Sequence, residues 1–128
     1  MGAPDDQPQF VILCQLEDIV DGGAKGVEVG DKTKKIGIIL LRSGDKVHGF
    51  LNRCPHRGLP LETFPDAFLD EDGETLICTN HGARFRASDG MCIQGPCVNV
   101  ALVRMPLALD NGAVVLAAPP HIVIDMFA

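Results

Sequence analysis

Two stretches decide the fold of this chain: Cys54-Pro55-His56-Arg57-Gly58 and Cys78-Thr79-Asn80-His81-Gly82. Each contains one cysteine and one histidine, and each closes with a glycine. Residues 57–77 separate the two pairs, so the pairs lie on two loops that must meet before the four side chains can act together. Glycine beside a ligand lets the backbone turn sharply and lets N–H groups point at an anionic centre. The candidate ligands of one shared metal centre are Cys54, His56, Cys78 and His81.

Three interpretations fit these donors. In a [2Fe–2S] cluster with asymmetric ligation, two cysteines bind one iron and two histidines bind the other. One cysteine and one histidine per loop suits that arrangement, because neither iron is complete until both loops dock. A structural zinc ion takes the same donors, but its ligand pairs are typically about two to four residues apart, whereas Cys54 and His56 have a single residue between them. Packing alone is the third interpretation, although it gives no reason for two matched pairs.

The composition is that of a globular protein with one core. The chain has 128 residues, 46% of them hydrophobic and 22% charged, which is enough for one core and too few for two ordinary domains. The formal charge of −6 argues against nucleic acid or an anionic membrane surface as a partner, since both require a cationic face. A partner with a basic patch suits this charge better.

The sequence predicts a cytoplasmic protein without a membrane span. The apolar run Ile36–Leu41 is about a third of the ~20 residues that a transmembrane helix needs. The acidic opening residues lack the cationic start and apolar centre of a signal peptide. Five cysteines in no small-disulfide spacing favour a reducing compartment. Cys14, Cys92 and Cys97 are therefore expected to be thiols, although a disulfide between the last two is sterically conceivable.

Short β-branched segments broken by glycine, aspartate and asparagine follow a polar arm at residues 1–8. This spacing, with little helical periodicity, predicts an all-β sandwich or barrel. Hairpins are predicted at Ser43-Gly44-Asp45 and Asn111-Gly112, and one helical turn at Leu16–Val20. The predicted strands are Phe10–Cys14, Gly26–Val29, Ile36–Arg42, Lys46–Asn52, Thr75–Cys78, Arg84–Ala87, Leu107–Asp110, Ala113–Ala117 and Ile122–Ile124.

The two ligand stretches resemble the paired boxes of the Rieske iron–sulfur family. The likeness continues through Ala83-Arg84-Phe85 and Asp89-Gly90, and Gly95-Pro96-Cys97 looks like the proline loop that covers the cluster in that family. The resemblance implies three small antiparallel sheets, with a cluster-binding subdomain inserted into a β-sandwich base. It also implies one [2Fe–2S] cluster bound by Cys54, His56, Cys78 and His81. One domain over residues 9–128 is expected, with the cluster-binding subdomain at about 53–97.

Some positions depart from the high-potential members of the family. Leu59 and Asn80 stand where those members carry an extra, disulfide-forming cysteine in each loop, and Ala83 and Phe85 stand where they carry serine and tyrosine. Hydrogen bonds to cluster sulfur stabilise the reduced state, so their loss predicts a midpoint potential of roughly −150 mV, near the low end of the Rieske range. The acidic turn Asp70–Glu74 lengthens the gap between the boxes and is expected to be solvated.

The resemblance implies a one-electron carrier with no catalytic residues, which receives electrons from a reductase and passes them to an oxygenase-type acceptor. The alternative is a small or regulatory subunit of a larger oxidoreductase, such as a nitrite reductase. A catalytic oxygenase is disfavoured, because His48 and His121 are too few for a mononuclear iron site. A zinc-stabilised interaction module would be colourless, whereas an iron–sulfur protein is red-brown. The oligomeric state stays open, and the apolar end, Ile122–Phe127, is expected to pack on the sandwich.

Overall fold

The computed structural model describes residues 11–55, 61, 68–78, 82–96 and 98–127. Within these ranges the chain forms short strands, a 3₁₀ turn at Leu16–Asp18 and a C-terminal helix. The predicted arm at residues 1–8 lies outside them. The elements are β1 (Val11–Gln15), β2 (Ala24–Gly30), β3 (Lys35–Ser43), β4 (Lys46–Leu51), β5 (Thr75–Ile77), β6 (Arg84–Arg86), β7 (Cys92–Gln94), β8 (Leu107–Asp110), β9 (Ala113–Leu116) and α1 (Pro120–Phe127).

The strands form three antiparallel sheets of three strands each, in the orders β1-β9-β8, β2-β3-β4 and β5-β6-β7. This arrangement confirms the predicted all-β fold of three small antiparallel sheets. The third sheet leads directly into the second ligand stretch, because Cys78 follows β5. The single domain at 9–128 and the subdomain at about 53–97 stay predictions, with the third sheet inside the latter range.

Strand β3 is central because both of its faces are buried. Ile38 and Leu40 on one face join the base core, the buried cluster formed with side chains of β2, β4, β9 and α1. Ile39 and Leu41 on the other face join the ligand-side core, a second buried cluster that also contains Cys54 and Cys78. Alternate side chains of a strand point to opposite faces, so a strand buried on both faces reads as a continuous apolar run. The apolar run at 36–41 is thereby explained without a membrane.

The two predicted hairpins are present. Asn111 and Gly112 have φ values of 51° and 84° and connect β8 to β9, with Asp110 opposite Ala113. Positive φ at both central residues is the signature of the type I′ turn, which Asn-Gly favours because its twist matches that of the strands. Gly44, at φ 64°, closes the turn between β3 and β4.

The C-terminal segment differs from its prediction. A strand at Ile122–Ile124 is wrong, because these residues lie in α1. Their β-branched side chains favour strands locally. However, Pro120 occupies the first helical position, where its fixed φ is tolerated, and Val123 and Phe127 lie four residues apart on one helix face. That face packs on the base core, so tertiary packing overrides the local preference.

Two smaller findings complete the fold. Strand β7 is not among the predicted strands, because Gly90 and Gly95 on either side of it are signals of irregular chain. Within the described part of the chain, no helix has the length and apolarity needed to cross a membrane.

Candidate metal centre

Cys54 lies just beyond β4, where the chain leaves the second sheet. The backbone is held on both sides at this point: Leu51 N–H donates to Val103 O at 2.7 Å, and Asn52 N–H donates to Gly37 O at 2.9 Å. Arg53 N–H donates back to Leu51 O at 2.8 Å, which turns the chain inward. The Cys54 side chain is 0% exposed. Its thiol is therefore placed in the interior by a backbone that is fixed up to the preceding residue.

Asn52 closes the loop that carries the first ligand stretch. Its side-chain Oδ1 accepts a hydrogen bond from Leu61 N–H at 2.8 Å, and the Leu61 side chain is fully buried. The bond joins two residues, Asn52 and Leu61, that lie on either side of Cys54 and His56 in the sequence. Sequence reasoning missed this residue; the only signal is the general tendency of asparagine to bond to nearby backbone. His56 lies outside the described residues.

Cys78 opens a tight loop between β5 and β6. Cys78 N–H donates to Ala83 O and Gly82 N–H donates to Cys78 O, both at 2.8 Å. Gly82 has φ 69°, a conformation that side chains disfavour, which explains the glycine that closes the second ligand stretch. Cys78 and Ala83 are both 0% exposed. His81 lies outside the described residues.

The start of the predicted proline loop packs on this second ligand loop. Gly95 has φ 108°, and a Cβ at this position would lie 2.9 Å from Ala83 Cα. Contact this close requires glycine at position 95. The structure thus brings Gly95 against the loop that begins at Cys78, while Cys97 lies outside the described residues.

The two candidate cysteine ligands share one apolar environment. Cys54 and Cys78 belong to the same ligand-side core, together with Leu61, Phe85 and Ala83. No disulfide joins the two cysteines. Two thiols from separate loops, buried in one apolar cluster, fit the cysteine half of a [2Fe–2S] ligand set. The apolar side chains around them would tune the reduction potential of a bound cluster by excluding solvent.

The other half of the ligand set is not described. Among residues 11–55, 61, 68–78, 82–96 and 98–127, no group of three His, Cys, Asp or Glu is placed to bind a metal. Both predicted imidazole ligands, His56 and His81, fall in the intervening segments. The structure therefore places both predicted cysteines in one buried cluster and leaves the histidine ligands as predictions.

Acidic side chains fasten the hairpin that carries Cys78. Asp72 accepts hydrogen bonds from the N–H groups of Glu74 and Thr75 and from Thr75 Oγ1, and these bonds lower the pKa of Asp72. Arg84 donates to Asp70 and lowers the pKa of Asp70. The turn at 70–74 is exposed at its tip, as expected of a solvated turn, but two of its carboxylates act as structural fasteners.

A second acidic fastener lies in the turn between β6 and β7. Asp89 accepts from Arg86 Nε at 3.0 Å, from Arg86 Nη2 at 2.6 Å and from Met91 N–H at 3.0 Å. These bonds, first the one from Arg86, lower the pKa of Asp89 to about 2. Arg84 and Arg86, both in β6, thus each form an ion pair with an aspartate in a neighbouring turn.

His48 and Cys92 lie outside the candidate ligand set and make contacts that support the fold. The Ala87 carbonyl accepts a hydrogen bond from His48 Nε2 at 2.8 Å, and the His48 ring meets Phe50 edge-on at 5.6 Å. His48 therefore ties β4 of the second sheet to the end of β6 in the third. Cys92 is buried and its Sγ lies 3.4 Å from Gln94 O. The question of a bond between Cys92 and Cys97 lies outside the described residues.

Comparison with known proteins places this geometry in a family. The chain is 29% identical over 118 residues to the ferredoxin component of an alkene monooxygenase system from Xanthobacter autotrophicus (strain ATCC BAA-1158 / Py2), covering 92% of this chain and 88% of the relative. Its fold matches Sphingomonas yanoikuyae B1 ferredoxin with a TM-score of 0.64 at 24% identity, covering 85% of this chain and 98% of the other. It also matches a chain of the complex of reduced oxygenase and oxidized ferredoxin in carbazole 1,9a-dioxygenase, with a TM-score of 0.66 at 23% identity and coverage of 87% and 94%.

The family assignment follows from a sequence model of the whole domain. The model described as the Rieske [2Fe-2S] domain matches residues 9–109, which include both ligand stretches, strands β1 to β7, most of β8 and the predicted proline loop. The chain belongs to the Rieske [2Fe–2S] domain family, whose cofactor is one Rieske-type [2Fe–2S] cluster.

Proposed function

We propose that this chain is an electron-transfer ferredoxin, which takes single electrons from a reductase and passes them to a terminal oxygenase. The observation that carries the proposal is the burial of Cys54 and Cys78, from two different loops, in one apolar cluster of a Rieske domain. The relative of similar length is itself named a ferredoxin component of an alkene monooxygenase system. No observation favours the alternative of a nitrite reductase subunit.

Each proposed ligand has one role. Cys54 and Cys78 would hold one iron through their thiolates, and His56 and His81 would hold the other through imidazole nitrogen. The bound cluster supplies a site that accepts and releases one electron. The protein's own contribution is to keep the two ligand loops together, through Asn52 on the first loop and the Cys78–Ala83 backbone bonds on the second, and to exclude water from the cysteine side.

The proposed partners follow from charge and from the relatives. A net charge of −6 favours basic docking surfaces on the reductase and oxygenase, because complementary fields speed the encounter of redox partners. An oxygenase and a ferredoxin form a complex in carbazole 1,9a-dioxygenase, and the same class of partner is proposed here. We also propose a cytoplasmic location, supported by five cysteines without a small-disulfide framework.

A reductase-coupled assay tests the function. A flavoprotein reductase, NADH and cytochrome c are mixed with the reconstituted protein, and the rate of cytochrome c reduction is followed. The wild type is expected to raise this rate in proportion to its concentration, and Cys54→Ser and Cys78→Ser are expected to abolish the increase. Cys14→Ser removes a half-buried thiol from β1 and is expected to keep it. A loaded wild-type protein that does not raise the rate would contradict electron transfer.

A further inference from the structure

Arg53, immediately before Cys54, reaches the far end of the C-terminal helix. Its Nη2 donates a hydrogen bond to the main-chain carbonyl of Phe127, 74 positions away in sequence. Phe127 is the last residue of α1. An element remote in sequence is thus bonded to the residue that precedes the first proposed ligand.

The chemistry of the contact suits a helix terminus. The last carbonyls of a helix have no partner within the helix, and the C-terminal end of its dipole attracts cations. No basic residue lies in the last turn of α1, so Arg53 supplies from another part of the chain the cation that the helix itself lacks.

The helix is also fixed to the base of the molecule. Val123 is buried in the base core, and Phe127 packs against the same cluster. That cluster contains Leu51, three positions before Cys54. Asp125 pairs with Lys34 at 2.7 Å, but both groups are well exposed, so this pair orients the helix more than it stabilises it. Packing therefore holds α1 on the side of the base from which the first ligand loop departs.

The contact involves an element outside the residues that match the family model. The match to the Rieske domain ends at residue 109, whereas α1 begins at Pro120. The first ligand loop is held by Gly37 through Asn52 N–H and by Leu61 through the Asn52 side chain. Arg53 gives that loop a further attachment, to an element beyond the matched residues.

We propose that α1 is a strap on the first ligand loop, and that Arg53 is the positioning residue that connects them. The inference rests on the proposed function, because it takes Cys54 and His56 as cluster ligands. Losing the strap loosens this loop, so it should speed release of the bound cluster and alter the environment of the iron atoms.

The test compares five variants with the wild type: three single substitutions, a truncated chain, and the truncated chain carrying Arg53→Met. Arg53→Met removes the charge and keeps an apolar stem, Arg53→Lys keeps the charge, and a stop after Pro119 removes the strap. Arg104→Met is the matched control, because Arg104 is exposed and its side chain forms no hydrogen bond or ion pair within the described residues. Each protein is reconstituted, and loss of visible absorbance is timed in the presence of an iron chelator.

Arg53→Met is expected to shorten the half-life of the cluster about fivefold, the effect of losing one exposed charge-assisted hydrogen bond. Arg53→Lys and Arg104→Met are expected to stay within about twofold of the wild type by the same reasoning. Arg53→Met should add nothing to the truncated chain, because two changes that remove one interaction are not additive. The EPR spectrum of the reduced Arg53→Met protein should shift or broaden, and Arg53→Lys should restore it.

Far-UV circular dichroism of each variant separates loop positioning from global unfolding. If the Arg53→Met protein loses its cluster at the same rate as the Arg104→Met protein and has an unchanged EPR spectrum, the proposal that α1 is a strap is wrong. The proposed function still stands in that case. The strap proposal is also wrong if Arg53→Met shortens the cluster half-life as much in the truncated chain as in the full chain. A wild-type protein that takes up no cluster would overturn the proposed function and the strap with it.

Discussion

Gly95 shows how one residue joins two loops of the candidate site. Its φ of 108° and its approach to Ala83 leave no room for a side chain. The proline loop can rest on the second ligand loop only because position 95 has no Cβ. The burial of Ala83 and of its neighbours in the ligand-side core depends on that contact.

Substitution of this glycine tests the contact. Gly95→Ala is expected to lower the free energy of unfolding by about 3 kcal/mol, since strain at positive φ and overpacking each contribute. Gly73→Ala is the matched control: Gly73 has φ 70° with open space around it, so only the strain of about 1 kcal/mol applies. Denaturant unfolding of both variants measures the difference. Equal losses would show that Gly95 makes no essential contact with Ala83.

Ala83 is the position at which the predicted low potential can be tested. Ala83→Ser restores the hydroxyl of the high-potential members, and a hydrogen bond stronger by about 1 kcal/mol in the reduced state corresponds to a rise of about 40 mV for one electron. Ala113→Ser, a buried alanine in β9 of another sheet, is expected to leave the potential unchanged. Redox titration measures both. A wild-type midpoint well above zero would contradict the prediction, as would an unchanged midpoint in Ala83→Ser.

At the scale of elements, the stability of the third sheet depends more on the carboxylates in its turns than on the length of its strands. Its strands have three residues each, so their turns carry much of the stability. Asp72 fastens the turn before β5, and Asp89 fastens the turn between β6 and β7. Carboxylates held by N–H donors and arginine are stable as anions, and the sheet is therefore sensitive to acid.

The direction of this acid sensitivity follows from Asp89. Its folded pKa of about 2 is below the ordinary value of 3.8, so its contribution is complete above pH 3.8 and is lost as the pH falls toward 2. Asp89→Asn is expected to unfold at a lower temperature at neutral pH and to lose less stability than the wild type between these pH values. Asp110→Asn, in the exposed end of β8, is the control. The melting temperature of each protein is measured as a function of pH. If the melting temperatures of the wild type and Asp89→Asn fall by the same amount between pH 3.8 and pH 2, the role assigned to Asp89 is wrong.

Local signals predict most elements, and long-range contacts account for most of what they do not predict. The run at 36–41 and the Asn111-Gly112 turn carry their structure in their own residues. The bond from Asn52 to Leu61 and that from Arg53 to Phe127 depend on how distant segments meet, which no spacing reveals. The sequence predicts residues 122–124 of α1 as a strand for the same reason. Contact with the base core, and not the local sequence, determines that these residues are helical.

At the scale of the whole molecule, β3 divides the interior into two cores with different roles. The base core, formed with β2, β4, β9 and α1, is an ordinary apolar interior. The ligand-side core contains both candidate cysteines. His48 connects the two halves through Ala87. The ligand loops thus project from a rigid base, as a site that must hold its geometry through repeated one-electron transfer requires.

In this account, Cys54 and Cys78 bind one iron of a cluster, and His56 and His81 bind the other. The most direct test is EPR of the dithionite-reduced protein, with iron and acid-labile sulfide measured on the same sample. We predict about two irons and two sulfides per chain, and the reduced signal of a histidine-ligated [2Fe–2S] centre. A colourless protein containing zinc, or one without iron and sulfide after anaerobic reconstitution, would contradict the account.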